Sequence, residues 1–163
     1  MTQRTLLSAI YDLIDGLACW RIWVVLALFD LRGRYRRSKL GQFWITLSMA
    51  VTICALAIVY SMIFKIELAI YLPIVAVSFI AWGLIASLIN ESATVFIESE
   101  GYVKSSSLPK SMYIYRMLLR NIIAFAHNLI LVPIVMIVFS IVPSWETLLF
   151  IPAFLLTLVN GIW

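Results

Sequence analysis

Charge is scarce in this chain. Charged residues make up 12% of its 163 positions and hydrophobic residues 64%, against ~25% and ~45–50% in an ordinary soluble domain. That balance argues against a disordered chain and against a water-soluble fold, because too few charged side chains remain to cover a surface. Cysteine is nearly missing. Cys19 and Cys54 alone exclude a disulfide-stapled scaffold and a cysteine-based metal cluster. Histidine occurs once, at His127, so no site that needs two can form. No lysine follows a glycine, which removes the phosphate-binding loop G-x-x-x-x-G-K-[ST]. A nucleophile elbow and a paired-histidine helix are missing as well. These absences leave an enzyme reading with little support. Internal repeats and low-complexity tracts are also lacking. What is left is an integral membrane protein with a net charge of +4.

A helix needs ~20 apolar residues to cross ~30 Å of hydrocarbon. Residues 43–64 are a charge-free run of 22, and residues 70–89 a run of 20. Residues 121–142 form another 22, interrupted only by neutral polar residues and His127. Residues 147–163 add 17 and stop where the chain stops, at Trp163, with no cation or polar tail behind them. All four are predicted to be transmembrane helices. The alternating ten-residue segments of a β-barrel are not seen.

The first 30 residues read differently. Their apolar stretch contains Asp12, Asp15 and Arg21, and each charge at mid-bilayer costs roughly 2.5–3.5 kcal/mol. Ser8, Asp12, Asp15 and Cys19 share one helical face, and Ile10, Leu13, Leu17 and Trp20 another. The spacing predicts an amphipathic helix lying in the interface, with Trp20 and Trp23 at headgroup depth. It is no signal peptide, lacking a basic start, a clean apolar core and a small-residue cleavage site. The apolar residues 22–29 are too few to cross.

The cations give an orientation. Seven precede the first run, four (Lys104, Lys110, Arg116, Arg120) lie between the second and third, and only Lys65 lies between the first and second. With the N-terminus in the cytoplasm, eleven cations are inside and one outside, as the positive-inside rule requires. The outer loops are then short, residues 65–69 and 143–146.

Five cations fall within residues 32–39: Arg32, Arg34, Arg36, Arg37 and Lys39. One reading is a topology anchor for anionic lipid, worth ~1 kcal/mol per cation near the surface. The other is a dock for a phosphorylated substrate head, since arginine dominates and its planar fork suits phosphate oxygens. Residues 90–120 carry Glu91, Glu98 and Glu100. They read as a solvated charged loop, as an acid–base pair, or as a short element that plugs into a partner. Residues 92–102 suit a helix loosened near Gly101. Leu108-Pro109, after the serines 105–107, should break it. His127 reads as a hydrogen-bonding group between neighbouring helices or as part of a transport path. Ser48, Thr52, Thr157 and Asn160 read as helix–helix contacts. Phe43, Trp44, Tyr60, Phe64 and Tyr71 sit at run ends, as an interfacial belt does.

The string Asp30-Leu31-Arg32-Gly33-Arg34-Tyr35-Arg36-Arg37-Ser38-Lys39-Leu40-Gly41-Gln42-Phe43-Trp44 resembles the segment that leads into the first span of type-2 ABC permeases. It is most similar to the branch that exports polysaccharides and polyol phosphates, with its pattern D-L-x-x-R-Y-x-[RK]-S-x-L-G-x-x-W. Residues 90–121 are similar to that family's connection between the second and third spans. The resemblance implies an all-α integral membrane fold: a cytoplasmic interfacial helix and basic segment (1–41), transmembrane spans at 43–64, 70–89, 121–142 and 147–163, and a cytoplasmic coupling segment (90–120). It implies the first part of a six-span permease, C-terminally incomplete, in a bacterial cytoplasmic membrane. It further implies a homodimer with a second permease copy above two separate ATP-binding subunits. Those subunits would bind ATP and Mg, so this chain would carry no cofactor. The cargo implied is a lipid-linked glycan such as O-antigen, capsule or teichoic acid, and no nucleic acid is involved. By the same resemblance Arg32, Arg34, Arg36, Arg37 and Lys39 would meet the substrate's pyrophosphate. Leu40, Gly41 and Trp44 would lie at the gate. Glu98, Ser99, Glu100, Gly101, Tyr102 and Lys104 would form the coupling helix that seats in the ATPase. A permease for a small hydrophobic drug or lipid, and a non-transporting membrane scaffold, are the alternatives.

Overall fold

The structure is a computed structural model that describes residues 2–35, 41, 43–105 and 108–162. Among these the chain is helical, with no strand. The helices are α1 (Thr2–Ala18), α2 (Trp20–Tyr35), α3 (Phe43–Phe64), α4 (Leu68–Glu98), α5 (Glu100–Ser105), α6 (Ser111–Leu129), α7 (Leu131–Val138) and α8 (Phe150–Ile162). A 3-10 turn, Trp145–Leu149, leads into α8.

Four helical stretches are long and apolar enough to cross a membrane: Phe43–Phe64, Leu68–Glu98, Ser111–Val138 and Trp145–Ile162. Their outward faces are oily. Met62 is 75% exposed, Ile137 78% and Trp145 88%. A soluble monomer does not display apolar surface on that scale. The chain is a multi-pass membrane protein.

Helix α3 matches its sequence run, but the other three differ. Helix α4 continues nine residues past Ile89, where Glu91 and Glu98 find partners on α6, Arg120 for both and Asn121 for Glu91. The third helix starts ten residues before Asn121. It breaks at Ile130 and finishes at Val138 as α7. Pro133, in the first turn of α7, has no N–H to continue the ladder of α6, which accounts for the break. Ser140 then turns the chain in the left-handed region at φ 54°.

The core is built on helical ridges. Helix α4 buries Ala76, Ile80, Leu84 and Leu88 at a strict four-residue spacing. Helix α3 faces it with Ile53, Ala57 and Ser61, whose small members let backbones approach. Helix α6 supplies the largest fully buried side chains, Met112, Tyr113 and Met117.

The N-terminal helix of the sequence reading is two helices that turn at Cys19. Both pack on α6. The stripe that faces the protein is Leu13, Gly16, Cys19, Trp23, Ala27 and Leu31, spaced three and four apart, with Asp12 beside Leu13. Leu13 therefore belongs with the polar face, not with Ile10 and Leu17. Leu7, Ile10, Tyr11, Ile14 and Leu17 point away, each at least 51% exposed. An outward apolar face on an amphipathic helix suits the boundary of a bilayer. Within residues 22–29 Ala27 is fully buried against the other helices, while Val25 and Phe29 are 49% and 62% exposed.

Candidate functional site

The helix α6 begins without a cap of its own, since Lys110 makes no side-chain capping bond. A residue from α1 supplies one. Asp12 Oδ1 accepts the Lys110 N–H at 3.0 Å and Oδ2 accepts the Ser111 N–H at 2.8 Å. The Ser111 hydroxyl donates to the Asp12 carbonyl. A carboxylate at a helix N-terminus satisfies orphan donors and matches the helix dipole. Gly16 lies directly against this contact. A Cβ there would overlap Ser111 Oγ and meet Tyr115 Cε2 at 3.1 Å. The Tyr115 hydroxyl donates to the Leu13 carbonyl at 3.2 Å, and Trp23 Nε1 to the Gly16 carbonyl at 3.2 Å.

One turn further along α6 the contacts become ionic. Arg116 holds Asp30 through Nε at 2.7 Å and Nη2 at 2.6 Å. Arg120 donates to Asp30 at 3.0 Å and to Glu91 at 2.9 Å. Asn121 Nδ2 donates to the same Glu91 oxygen at 3.0 Å. Glu98 reaches Arg120 at 3.9 Å and Arg34 reaches Glu91 at 3.6 Å. Three acids and three arginines thus join α2, α4 and α6 with no net charge. The inner members are shielded, with Arg120 12%, Arg116 15% and Asp30 23% exposed. Burial raises the Asp30 carboxyl, but the hydrogen bonds and charges of Arg116 and Arg120 outweigh it and hold the group below the ordinary value of 3.8.

Helix α5 hangs from this cluster. The turn out of α4 falls at Ser99, two residues before Gly101 where the sequence suggested it. Ser99 is buried at 4% exposure, and its carbonyl accepts the Val103 N–H at 2.9 Å. Glu98, bonded by the Thr94 hydroxyl at 3.2 Å, is half exposed. Glu100 and Lys104 pair with each other on the outer face, 60% and 73% exposed. Gly101 is exposed with open space around it. Tyr102 lies within the same helix.

Of the arginine segment, Arg32 and Arg34 close α2 and are exposed. Arg36, Arg37, Lys39 and Leu40 lie outside the described residues. Gly41 turns at φ +56°, a conformation that suits glycine, and its carbonyl accepts the Trp44 N–H at 3.3 Å. Trp44 is 52% exposed.

Arg116 and Arg120, read from sequence as loop cations, are helical and buried in ion pairs. The signal was available: Arg116 and Arg120 are four apart on α6, and Glu91 and Glu98 seven apart on α4, so each pair shares a face. Asp12 and Thr46 were missed. Thr46 donates to the His127 carbonyl at 3.1 Å, a true contact between helices. Ser48, Thr52 and Thr157 bond carbonyls of their own helices instead. A hydroxyl facing hydrocarbon is satisfied most locally that way. His127 Nδ1 likewise meets the Ile123 carbonyl of its own helix at 2.8 Å.

No group of three His, Cys, Asp or Glu side chains among the described residues is placed to hold a metal. Comparison of the chain with protein-family models, with curated proteins and with solved structures finds no match.

Proposed function

We propose that this chain is the transmembrane subunit of a type-2 ABC transporter that exports a lipid-linked polysaccharide or polyol phosphate polymer. It works as a dimer, in a bacterial cytoplasmic membrane, with its N-terminus inside and a separate ATPase below. The observation that carries this reading is the string from Asp30 to Trp44. Two features of the fold support it. A pair of helices, the first of them amphipathic, precedes the first span. A short helix, α5, with exposed Glu100 and Lys104 sits between the second and third, which is the form a coupling element takes.

The physical need is clear. A glycan is polar, and each buried hydroxyl without a partner costs several kcal/mol in hydrocarbon. It requires a channel between two permease copies. Closure of the ATPase would move α5, and the α4–α6 ion-pair cluster would carry that motion into the spans as a rigid-body shift. The arginines of 32–39 would receive the anionic end of the cargo, with Leu40, Gly41 and Trp44 at the gate. Glu98, Ser99, Glu100, Gly101, Tyr102 and Lys104 would meet the ATPase.

Affinity purification of the full-length protein from its native membrane tests this. A separate ATPase is expected to co-purify, and Arg34→Ala or Arg36→Ala to lower surface polysaccharide. No ATPase partner together with normal surface glycan in both variants would count against the proposal. One observation favours a small hydrophobic substrate instead. An apolar groove of about 550 Å³ runs between α4, α6, α7 and the start of α8, lined by Pro73, Ile80, Phe125, Leu129, Met136 and Phe150. Drug-efflux assays beside surface-glycan assays separate the two readings.

A further inference from the structure

We infer that a single buried water binds at the joint between α4 and α5 and links the root of α5 to α6 through Arg120. The inference rests on the fold alone, and not on the reading of the cargo or of the ATPase.

Arg120 has the most shielded side chain of the ion-pair cluster, at 12% exposure. Its two outer nitrogens are engaged. Nη1 donates to Asp30 at 3.0 Å and Nη2 to Glu91 at 2.9 Å. The third nitrogen, Nε, is buried and has no partner among the described residues. A buried donor of a charged group is costly to leave unpaired, and native proteins meet such groups with a polar atom or an ordered water.

The surroundings of Arg120 suit a water. A cavity of about 20 Å³ lies against it, with Val95, Glu98, Ser99, Tyr113 and Met117 in its walls. One water needs ~10–15 Å³ of such space and two to four polar partners. The volume excludes a larger ligand, and the Glu98 carboxylate in the wall disfavours an anion. That carboxylate stands 3.9 Å from Arg120 Nη2. The gap is too long for a direct hydrogen bond and is one that water bridges. Ser99 is buried at 4% exposure, and its hydroxyl can both donate and accept. The bound water accepts from Arg120 Nε and donates to Glu98 and to the Ser99 hydroxyl.

The place of this bridge gives it a role. Helix α4 ends at Glu98 and α5 starts at Glu100, so both water partners stand at the joint. The Ser99 carbonyl also accepts the Val103 N–H of α5 at 2.9 Å. Helix α5 is thus fastened to α6 through a molecule that can reorient. A small shift of α5 re-forms the bridge, where a direct side-chain pair would have to break.

X-ray hydroxyl-radical footprinting of the full-length protein in micelles, read by mass spectrometry, tests this. Radicals formed from a bound water oxidise the side chains around it. Met112, Tyr113 and Met117 are each 1% exposed, but of the three only Tyr113 and Met117 line the cavity. Tyr113 and Met117 are expected to be oxidised, and Met112 to stay unmodified. Val95→Ile adds a methylene to the cavity wall and displaces the water. It is expected to abolish the Met117 label. By stranding Arg120 Nε it should also speed exchange of the Val103 amide at least about fivefold. Ser99→Thr adds a methyl at the same cavity and serves if Val95→Ile does not fold. Met117 as silent as Met112 in the unaltered protein overturns the inference. A Met117 label that survives the filling variant overturns it too, as does a label lost with no faster exchange at Val103.

Discussion

Replacing Asp30 by alanine asks whether charge holds α2 to α6. The carboxylate accepts two hydrogen bonds from Arg116, at 2.7 and 2.6 Å, and one from Arg120 at 3.0 Å. Both arginine side chains are at most 15% exposed. Removing one partner of a buried ion pair costs about 3–5 kcal/mol, because the charge left behind stays desolvated. Asp30 itself is 23% exposed, so water refills part of the hole, and the expected loss is about 2–3 kcal/mol. The penalty falls on the contact between α2 and α6, not on the apolar ridges of α3 and α4. Backbone amides within α2 should therefore exchange about 30- to 150-fold faster in Asp30→Ala, at tenfold per 1.4 kcal/mol, while those of α3 keep their rate. Hydrogen exchange with mass spectrometry in micelles reads both helices in one experiment. Trp20 and Trp23 give a second signal, since they lie on α2 and change surroundings if it lifts. The charge-reversed pair Asp30→Arg with Arg116→Asp should recover part of the protection, because it restores an ion pair across the same gap. Wild-type exchange of α2 in Asp30→Ala would refute the reasoning: the cluster would then be a bystander of apolar packing.

Asp12→Ala removes the only side-chain cap at the start of α6 among the described residues. It should cost about 1 kcal/mol, read as a lower melting temperature and faster exchange of the first turn of α6. Gly16→Ala should be worse, about 1–3 kcal/mol, since the new methyl overlaps Ser111 Oγ. Removing that hydroxyl with Ser111→Ala should recover part of the loss in a melting experiment. The lowered carboxyl of Asp30 predicts a pH response. Its contribution is complete above the ordinary value of 3.8 and falls away as pH drops through the lower folded value. Exchange protection of α2 should therefore hold from neutral pH to about pH 5 and fail only below about pH 4, an effect lost in Asp30→Asn. Thr46→Val should cost about 0.6 kcal/mol, the mean for hydrogen bonds between membrane helices, and loosen the approach of α3 to His127.

Membrane character was plain in the residues because hydrocarbon is an undemanding partner: any run of the right length and polarity will do. Helix α3 could be read to its ends, since Lys65 stops one side and the basic segment the other. Helix α4 could not, because its last nine residues break the apolar run with Asn90, Glu91, Ser92, Thr94 and Glu98, and Glu91 finds its partner on α6 30 positions away, at Asn121. The same holds for Arg116 and Arg120. Their positions counted correctly as cations between two runs, but their meeting with Asp30, 86 and 90 residues earlier, is a property of the packed bundle. The amphipathic N-terminal helix was legible as a pattern and misread in one respect. Asp12 stands on its polar face for a protein contact, not for water, and nothing local distinguishes the two. Membrane hydroxyls mislead in the opposite sense. Thr52 and Thr157 satisfy themselves on their own helices, while Thr46, one turn from Gln42, reaches across.

Accessibility labelling tests the central claim most directly, namely that the arginine segment and α5 share the cytoplasmic face of a four-span bundle. In a Cys19→Ser, Cys54→Ser background, Arg34→Cys and Lys104→Cys should react with a membrane-impermeant maleimide only in inside-out vesicles. Glu67→Cys and Ser144→Cys should react in intact cells. Labelling of the Arg34→Cys or Lys104→Cys variant from outside intact cells would contradict the account.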